Sequence, residues 1–325
     1  MKKILIIFLI LNWLIPIEAQ IEEMINPSDL KQQTVITEPT TLNKGFFRTG
    51  IISNYGTADK VFDESGKKSY ISGSSGWASS WTIEMGIQYG LLDRLEVLVD
   101  VPYLHEQIFI SSLIDAPGPD SSFTSAYKTK AAGLGDMSLG TEFQILKEDE
   151  RMPSLSATVL LTLPTGRKNP ENIKSPQEFD RPTGSGETSL YINLQLRKII
   201  YPYSYTIYSF YIYHFEGSKI FNPGEEETNF KSGDIFYLGG SFNLHLNDWI
   251  ALMNEAAFFK WWDDEYYGTT ARDVGISNRW GVNYQASLVF QIKRFRFAET
   301  ILVPVYGQNY TQADPSYTLG LFYTF

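Results

Sequence analysis

The stretch "WASSWTIEMGIQY", from Trp77 to Tyr89, reads as two faces. One carries Trp77, Ser79, Trp81, Ile83, Met85, Ile87 and Tyr89; the other carries Ala78, Ser80, Thr82, Glu84, Gly86 and Gln88. A period of two is the signature of a strand. The apolar face has aromatic residues at both ends and aliphatic ones between. That order suits a strand crossing lipid, with rings at the two interfaces and hydrocarbon contact in the middle. A half-buried sandwich strand also alternates, but has no reason to place aromatics at both rims.

The same alternation predicts strands at Leu95 to Tyr103, Met137 to Ile145, Leu155 to Leu163, Ser189 to Arg197 and Trp280 to Phe290. Less regular segments lie at Gly45 to Asn54, Tyr203 to Glu216, Ile235 to Leu246, Trp249 to Trp262 and Phe295 to Tyr306. In Trp249 to Trp262, Glu255 argues that the odd positions face inward, while Asn254 and Lys260 argue the reverse. The last strand, "SYTLGLFYTF", runs to Phe325, with Tyr317, Leu319, Leu321, Tyr323 and Phe325 on its oily face. The total is twelve.

Connections alternate in length. Long ones fall at 55–75, 107–131, 164–185, 217–231 and 264–276, and short ones at 90–94, 147–152, 199–202, 247–248 and 293–294. Bacterial barrels pair long extracellular loops with short periplasmic turns, and an even strand number leaves both termini in the periplasm. The expected fold is therefore all-β: a transmembrane up-and-down antiparallel barrel of about twelve strands over residues 44–325. A chain in lipid has no other β option, since only closure leaves no backbone group unpaired. The final strand must pair with the first, and its aromatic end suits recognition by barrel assembly machinery.

The chain begins "MKKILIIFLILNWLIPIEAQ". Two lysines, an apolar run and a small residue at position 19 make a secretory signal peptide over 1–19. Residues 20–43 read as a polar periplasmic lead-in. Cleavage after Ala19 removes two lysines and one glutamate, so the formal charge moves from −10 to −11. Such an acidic exported chain is a poor nucleic-acid binder. Its expected partners are outer-membrane lipid, the assembly machinery and a small-molecule solute, in a Gram-negative-type cell.

No cysteine is present and only 3 histidines, which excludes disulfides, thiolate metal sites and cysteine nucleophiles. No motif for a cofactor or for enzymatic chemistry occurs. "GLGD" at Gly133 to Asp136 opens a strand rather than joining strand to helix, so it lacks phosphate-cradling geometry; its glycines suit kinks or close approach at a barrel rim. Ser209 and His214 share a strand but fall on opposite faces, which defeats a local dyad.

The inward parity selects candidate pore-lining residues: Glu84, Glu96, Asp100, Asp136, Glu142 and Glu187, with Arg197 and Arg279 as counter-charges. They either pair structurally across a filled interior or form a lining whose acidic excess favours cations or polar neutral solutes. Two acidic outer clusters, Glu225 to Glu227 and Asp263 to Glu265, read as solvated loop charge or as divalent-cation ligands. Trp261 and Trp262 read as an outer girdle and Trp249 as an inner one.

"GLGDMSLG" at 133–140, "LPTG" at 163–166, the turn "KEDERMP" at 147–153, "YGLLDRLEVLVDVPY" at 89–103 and "EPTTLNKGFF" at 38–47 together resemble the family named for a MetA pathway of phenol degradation. "EPTTL" departs from that family's usual acidic-Arg-Pro start. The resemblance implies a transporter-like outer-membrane barrel passing small, often hydrophobic or aromatic compounds, and brings no catalytic residues. The alternatives are a non-transporting structural or adhesive barrel, a lipid-processing outer-membrane enzyme, or a soluble exported sandwich.

Overall fold

A computed structural model describes residues 41–42, 44–70, 76–115, 122–175, 177–267, 279–292, 294–309 and 313–325. The predicted signal peptide and nearly all of the lead-in lie outside these residues. Among those described, twelve strands form one closed antiparallel barrel. They are β1 Phe47–Ala58, β2 Trp77–Leu92, β3 Leu95–Asp115, β4 Met137–Leu146, β5 Ser154–Leu163 and β6 Ser189–Ile200, then β7 Tyr203–His214, β8 Ile235–Asn247, β9 Ile250–Trp261, β10 Arg279–Ile292, β11 Phe295–Gln308 and β12 Ser316–Thr324. Each pairs with its sequence neighbours, and β12 returns to β1 in a register from Arg48 with Thr324 to Gly56 with Ser316.

Closure is sealed at the last residue. The Phe325 amide donates to the Phe47 carbonyl at 2.7 Å. Its ring lies 5.6 Å from that of Phe47 and 4.6 Å from that of Tyr323, which packs 4.5 Å from Phe295. The oily face of the terminal strand is the outer surface of the seam: Tyr317, Leu319, Leu321 and Phe325 are all exposed.

The outer surface is mostly apolar, as the period-2 reading requires. Trp77, Trp81, Met85, Ile87 and Tyr89 are exposed, and the register sets Met85 beside Val101 and Ile87 beside Val99 on the same face. Exposed Tyr203, Trp249 and Phe295 ring the short-turn end, with Trp77, Trp262 and Tyr306 toward the other.

The ambiguous strand β9 is decided by its neighbours. Glu255 sits opposite Ser241 and Gln285, both inward, so the odd positions face the lumen. Asn254 faces outward, where it accepts a hydrogen bond from the Tyr284 hydroxyl at 2.6 Å. Trp261 therefore turns inward rather than joining an outer girdle, and Arg279 covers its ring at 3.9 Å. In β11, Arg296, Ala298 and Thr300 face inward and Glu299 outward, and a bulge opposite Val282 and Asn283 then leaves both Val305 and Tyr306 exposed.

The long connections are more structured than the sequence suggests. The segment expected as a loop from 107 begins as strand, because β3 continues to Asp115 and pairs with Ser122–Leu134. Pro102 lies where β3 leaves β4 for that partner; its ring nitrogen has no proton to donate, and its carbonyl accepts from the Gly135 amide at 2.8 Å. Three short strands, Gly217–Lys219, Thr228–Lys231 and Glu265–Tyr267, form a separate small sheet at the long-loop end.

Ile83 faces outward between Ser53 and Tyr103, midway along β2. Ile83→Arg is expected to destabilise the barrel by about 2–4 kcal/mol in lipid, read from urea unfolding in phospholipid vesicles. A loss below about half a kcal/mol would show that this position does not meet hydrocarbon.

Candidate functional site

The site is the lumen. Inward side chains from all twelve strands enclose a cavity of about 490 Å³. Its charged lining is four carboxylates, Glu96, Asp100, Glu142 and Glu255, and two guanidinium groups, Arg48 and Arg296.

The lining is lopsided because register gathers like residues. On one wall, Glu96 of β3 is the direct cross-strand neighbour of Glu142 of β4. Asp100 is two inward positions further along β3, past Leu98, with Glu84 beside it on β2. The other wall is aromatic. Phe210 stacks on Tyr237 at 4.7 Å with planes 9° apart, and Tyr237 on Phe259 at 5.8 Å and 17°. Tyr191 joins Phe210 at 5.0 Å, and the Tyr208 hydroxyl donates to Glu255 at 2.5 Å. Arg48 donates to Gln88 at 3.2 Å, and Arg296 lies 5.6 Å from the Phe322 ring.

The eight predicted pore residues divide into three groups. Glu96, Asp100 and Glu142 line the cavity, and Glu84 projects inward beside Asp100. Asp136, Glu187 and Arg279 instead hold the long-loop rim. Asp136 accepts from the Gly166 amide at 2.8 Å and from the Ser185 amide and hydroxyl at 2.6 Å each. Glu187 accepts from the Ser232 amide at 2.9 Å, and Arg279 donates to Asp264 at 3.0 Å. The "GLGD" and "LPTG" motifs thus meet in space. Gly133 takes φ +144°, a left-handed value that favours glycine, and a Cβ on Gly166 would lie 2.6 Å from the Gly184 backbone.

Arg197 belongs to neither group. At the short-turn end it pairs with Glu148 at 3.4 Å, both side chains only 4% exposed, and Glu148 also accepts from the Ile199 amide. Sequence parity placed Arg197 in the lumen but gave no sign of Glu148, which lies in a turn.

The acidic loop clusters are engaged locally. Glu227 takes Ser218 and Lys168, Glu225 takes Asn222, and Asp264 takes Gly233 and Arg279. No group of three or more metal-ligating side chains gathers among the described residues. In the small outer sheet, Lys219 lies between the rings of Phe221 and Phe230 at 4.8 and 4.9 Å. Burial pulls its ammonium below the ordinary lysine range, against the opposing pull of Glu187, Asp136 and Asp264.

At the short-turn end, Thr41 and Leu42, the described residues of the lead-in, are buried. Leu42 is 6% exposed, and its amide donates to Glu96 Oε2 at 2.6 Å. Ser209 and His214 stay apart: Ser209 faces outward beside Leu238, and His214 lies on the inward register beside Ser189. His245 is buried and contacts Ser204 at 3.1 Å.

No family model matches the sequence. The fold is similar to the crystal structure of the COG4313 outer-membrane channel from Pseudomonas putida F1, at 14% identity and a TM-score of 0.67, covering 89% of this chain and 100% of that one. Weaker likenesses include the toluene transporter TbuX from Ralstonia pickettii, at 8% identity and a TM-score of 0.43, covering 87% of this chain and 90% of that one. The NanC porin follows at 7% identity and 0.45, with 84% of this chain and 98% of that one covered.

Two substitutions check these assignments. Arg197→Met, which strips Glu148 of its guanidinium partner, is expected to cost about 3–5 kcal/mol, and Met at both positions to restore most of it; denaturant unfolding of the folded barrel reads both. Asp136→Ala leaves the Gly166 and Ser185 amides without their acceptor, a loss of about 1–3 kcal/mol. It should speed proteolytic nicking at 164–185 with the barrel intact.

Proposed function

We propose that this chain is an outer-membrane channel for the passive passage of small molecules, exported by its N-terminal signal, with its short turns in the periplasm. The observation that carries the reading is the cavity itself: twelve inward faces leave about 490 Å³ in the lumen instead of filling it. Small barrels are filled by side chains and large ones hold aqueous pores, and twelve strands lie between, so the space within is what separates the cases. The name of the COG4313 neighbour, a channel, supports the same reading. The sequence resemblance to a phenol-degradation family adds hydrophobic or aromatic solutes as the class to try first.

The competing reading, a closed structural barrel, has its own observation. Side-chain contacts stand at both ends, with Leu42 hydrogen-bonded to Glu96 at one and the rim network around Asp136, Glu187 and Arg279 at the other. A lining with charge on one side and ready hydrogen bonds at each end suits gating as well as closure.

Planar-bilayer recording of the refolded protein in KCl distinguishes them. Discrete conductance steps are expected. Glu96→Ala, which removes the acceptor of the Leu42 amide, should raise the open fraction. A protein that inserts and never conducts, and that leaves solute uptake into vesicles unchanged, would overturn the channel reading.

A further inference from the structure

A carboxyl group and a carboxamide stand on the outer surface at a depth where lipid tails belong. Glu299 is the fifth residue of β11 and Asn254 the fifth of β9, both counted from the short-turn end. At about 3.4 Å per residue and roughly 40° of tilt, four residues rise about 10 Å into an apolar band about 25 Å tall. Both side chains point outward. Glu299 is flanked by Leu288 and Leu319, and Asn254 by Phe242 and Ala286. Glu299 is exposed and has no hydrogen-bond or ion-pair partner among the described residues. The Asn254 oxygen accepts from the Tyr284 hydroxyl at 2.6 Å, while its side-chain N–H groups have no acceptor among those residues.

Polar groups left unpaired in hydrocarbon are strongly unfavourable, and those that persist there face a partner. Lipid headgroups do not supply one here. A lysine or arginine stem reaches back to the interface, but the glutamate stem is too short to cover that rise. The barrel's own wall offers nothing either, since Phe297 and Ile301 are the outward neighbours of Glu299 along β11. Glu299 thus lacks a donor and Asn254 lacks an acceptor, at one height, on either side of β10. Between them lies Ala286, which is exposed, pairs with Asn254 and stands diagonal to Glu299.

We propose that this face docks a second copy of the chain, about a two-fold axis that runs along the membrane normal beside Ala286. Such an axis keeps height and sets the left of one face against the right of the other. Glu299 therefore accepts from the partner's Asn254, and Asn254 donates to the partner's Glu299, so one operation satisfies both groups twice. Ala286 ends at its Cβ, which lets the convex walls come closest at β10. The longer glutamate and asparagine side chains then span the gap where the walls curve apart. Lipid tails are as apolar as leucine, so association within the membrane rests on close packing and hydrogen bonds of this kind. An unrelated protein would need its own donor and acceptor at the matching depth and spacing. A second copy carries both by construction.

The chain has no cysteine, so single cysteines report on the contact. In phospholipid vesicles under mild oxidation, Ala286→Cys is expected to link into a dimer at least ten-fold faster than Leu194→Cys, an exposed outward position on β6. Energy transfer between donor-labelled and acceptor-labelled copies, diluted with lipid, reads the dissociation of the dimer. Glu299→Leu is expected to weaken it at least ten-fold with the unfolding midpoint unchanged or raised, since leucine suits a lipid-facing site. The exchanged pair Glu299→Asn with Asn254→Glu keeps the reciprocal contact and should restore most of the association. Energy transfer no greater than random mixing gives overturns the proposal. So does a dimer that Glu299→Leu leaves intact, that the exchanged pair fails to restore, or that links through Leu194→Cys as readily as through Ala286→Cys. Conduction plays no part in these readings, so their failure leaves the channel reading standing.

Discussion

Everything in this structure depends on pairing backbone N–H and C=O groups where no water can reach them. In hydrocarbon each unpaired group is expensive, and an open sheet always has two unpaired edges. The β12 and β1 ladder abolishes them, continued past the last strand residue by the Phe325 amide on the Phe47 carbonyl. An apolar chain end that would fray in water becomes part of the seam. Once the sheet closes, its two faces have different solvents, and alternation along each strand turns into a division between lipid and lumen.

That division was legible wherever a strand is long and its faces differ strongly in polarity. Trp77 to Tyr89 is the clearest case, and the loop rhythm supplied the topology. It failed to decide β9, where Glu255, Asn254 and Lys260 give contradictory parity within one strand. Pairing resolves it: Glu255 meets Tyr208, Ser241 and Gln285 in the interior, while Asn254 has Tyr284 as an outward partner. Such partners come from other strands, so no single-strand pattern contains them. Trp261 was misjudged for the same reason, since its inward turn follows from β9's parity and Arg279's position.

Parity also carries no height. Asp136, Glu187 and Arg279 satisfy the inward rule as well as Asp100 does, yet they sit where strands emerge and backbone amides lack ladder partners. There a carboxylate's most available donors are loop N–H groups, and Asp136 takes two of them. Strand ends thus turn inward charge into structure, and mid-strand positions leave it to the cavity. Arg197 illustrates the other end: its partner Glu148 comes from a turn, where periodicity gives no reading.

The lumen's asymmetry follows from tilt and register acting together. Each wall residue is ordinary for its strand; Phe210 or Glu142 alone says little. Stagger between neighbouring strands carries a row of cross-strand pairs upward as it goes around, so residues that are direct neighbours in the ladder lie at different depths. A chain that places acids on β3 and β4 and rings on β7, β8 and β9 therefore builds a gradient along the axis as well as around it. A barrel with untilted strands would hold the same residues in one flat belt, with acid facing ring across the lumen and no path between them. The closure that satisfies the backbone requires the tilt, and the tilt converts a sideways pattern in sequence into a lengthwise pattern in the pore.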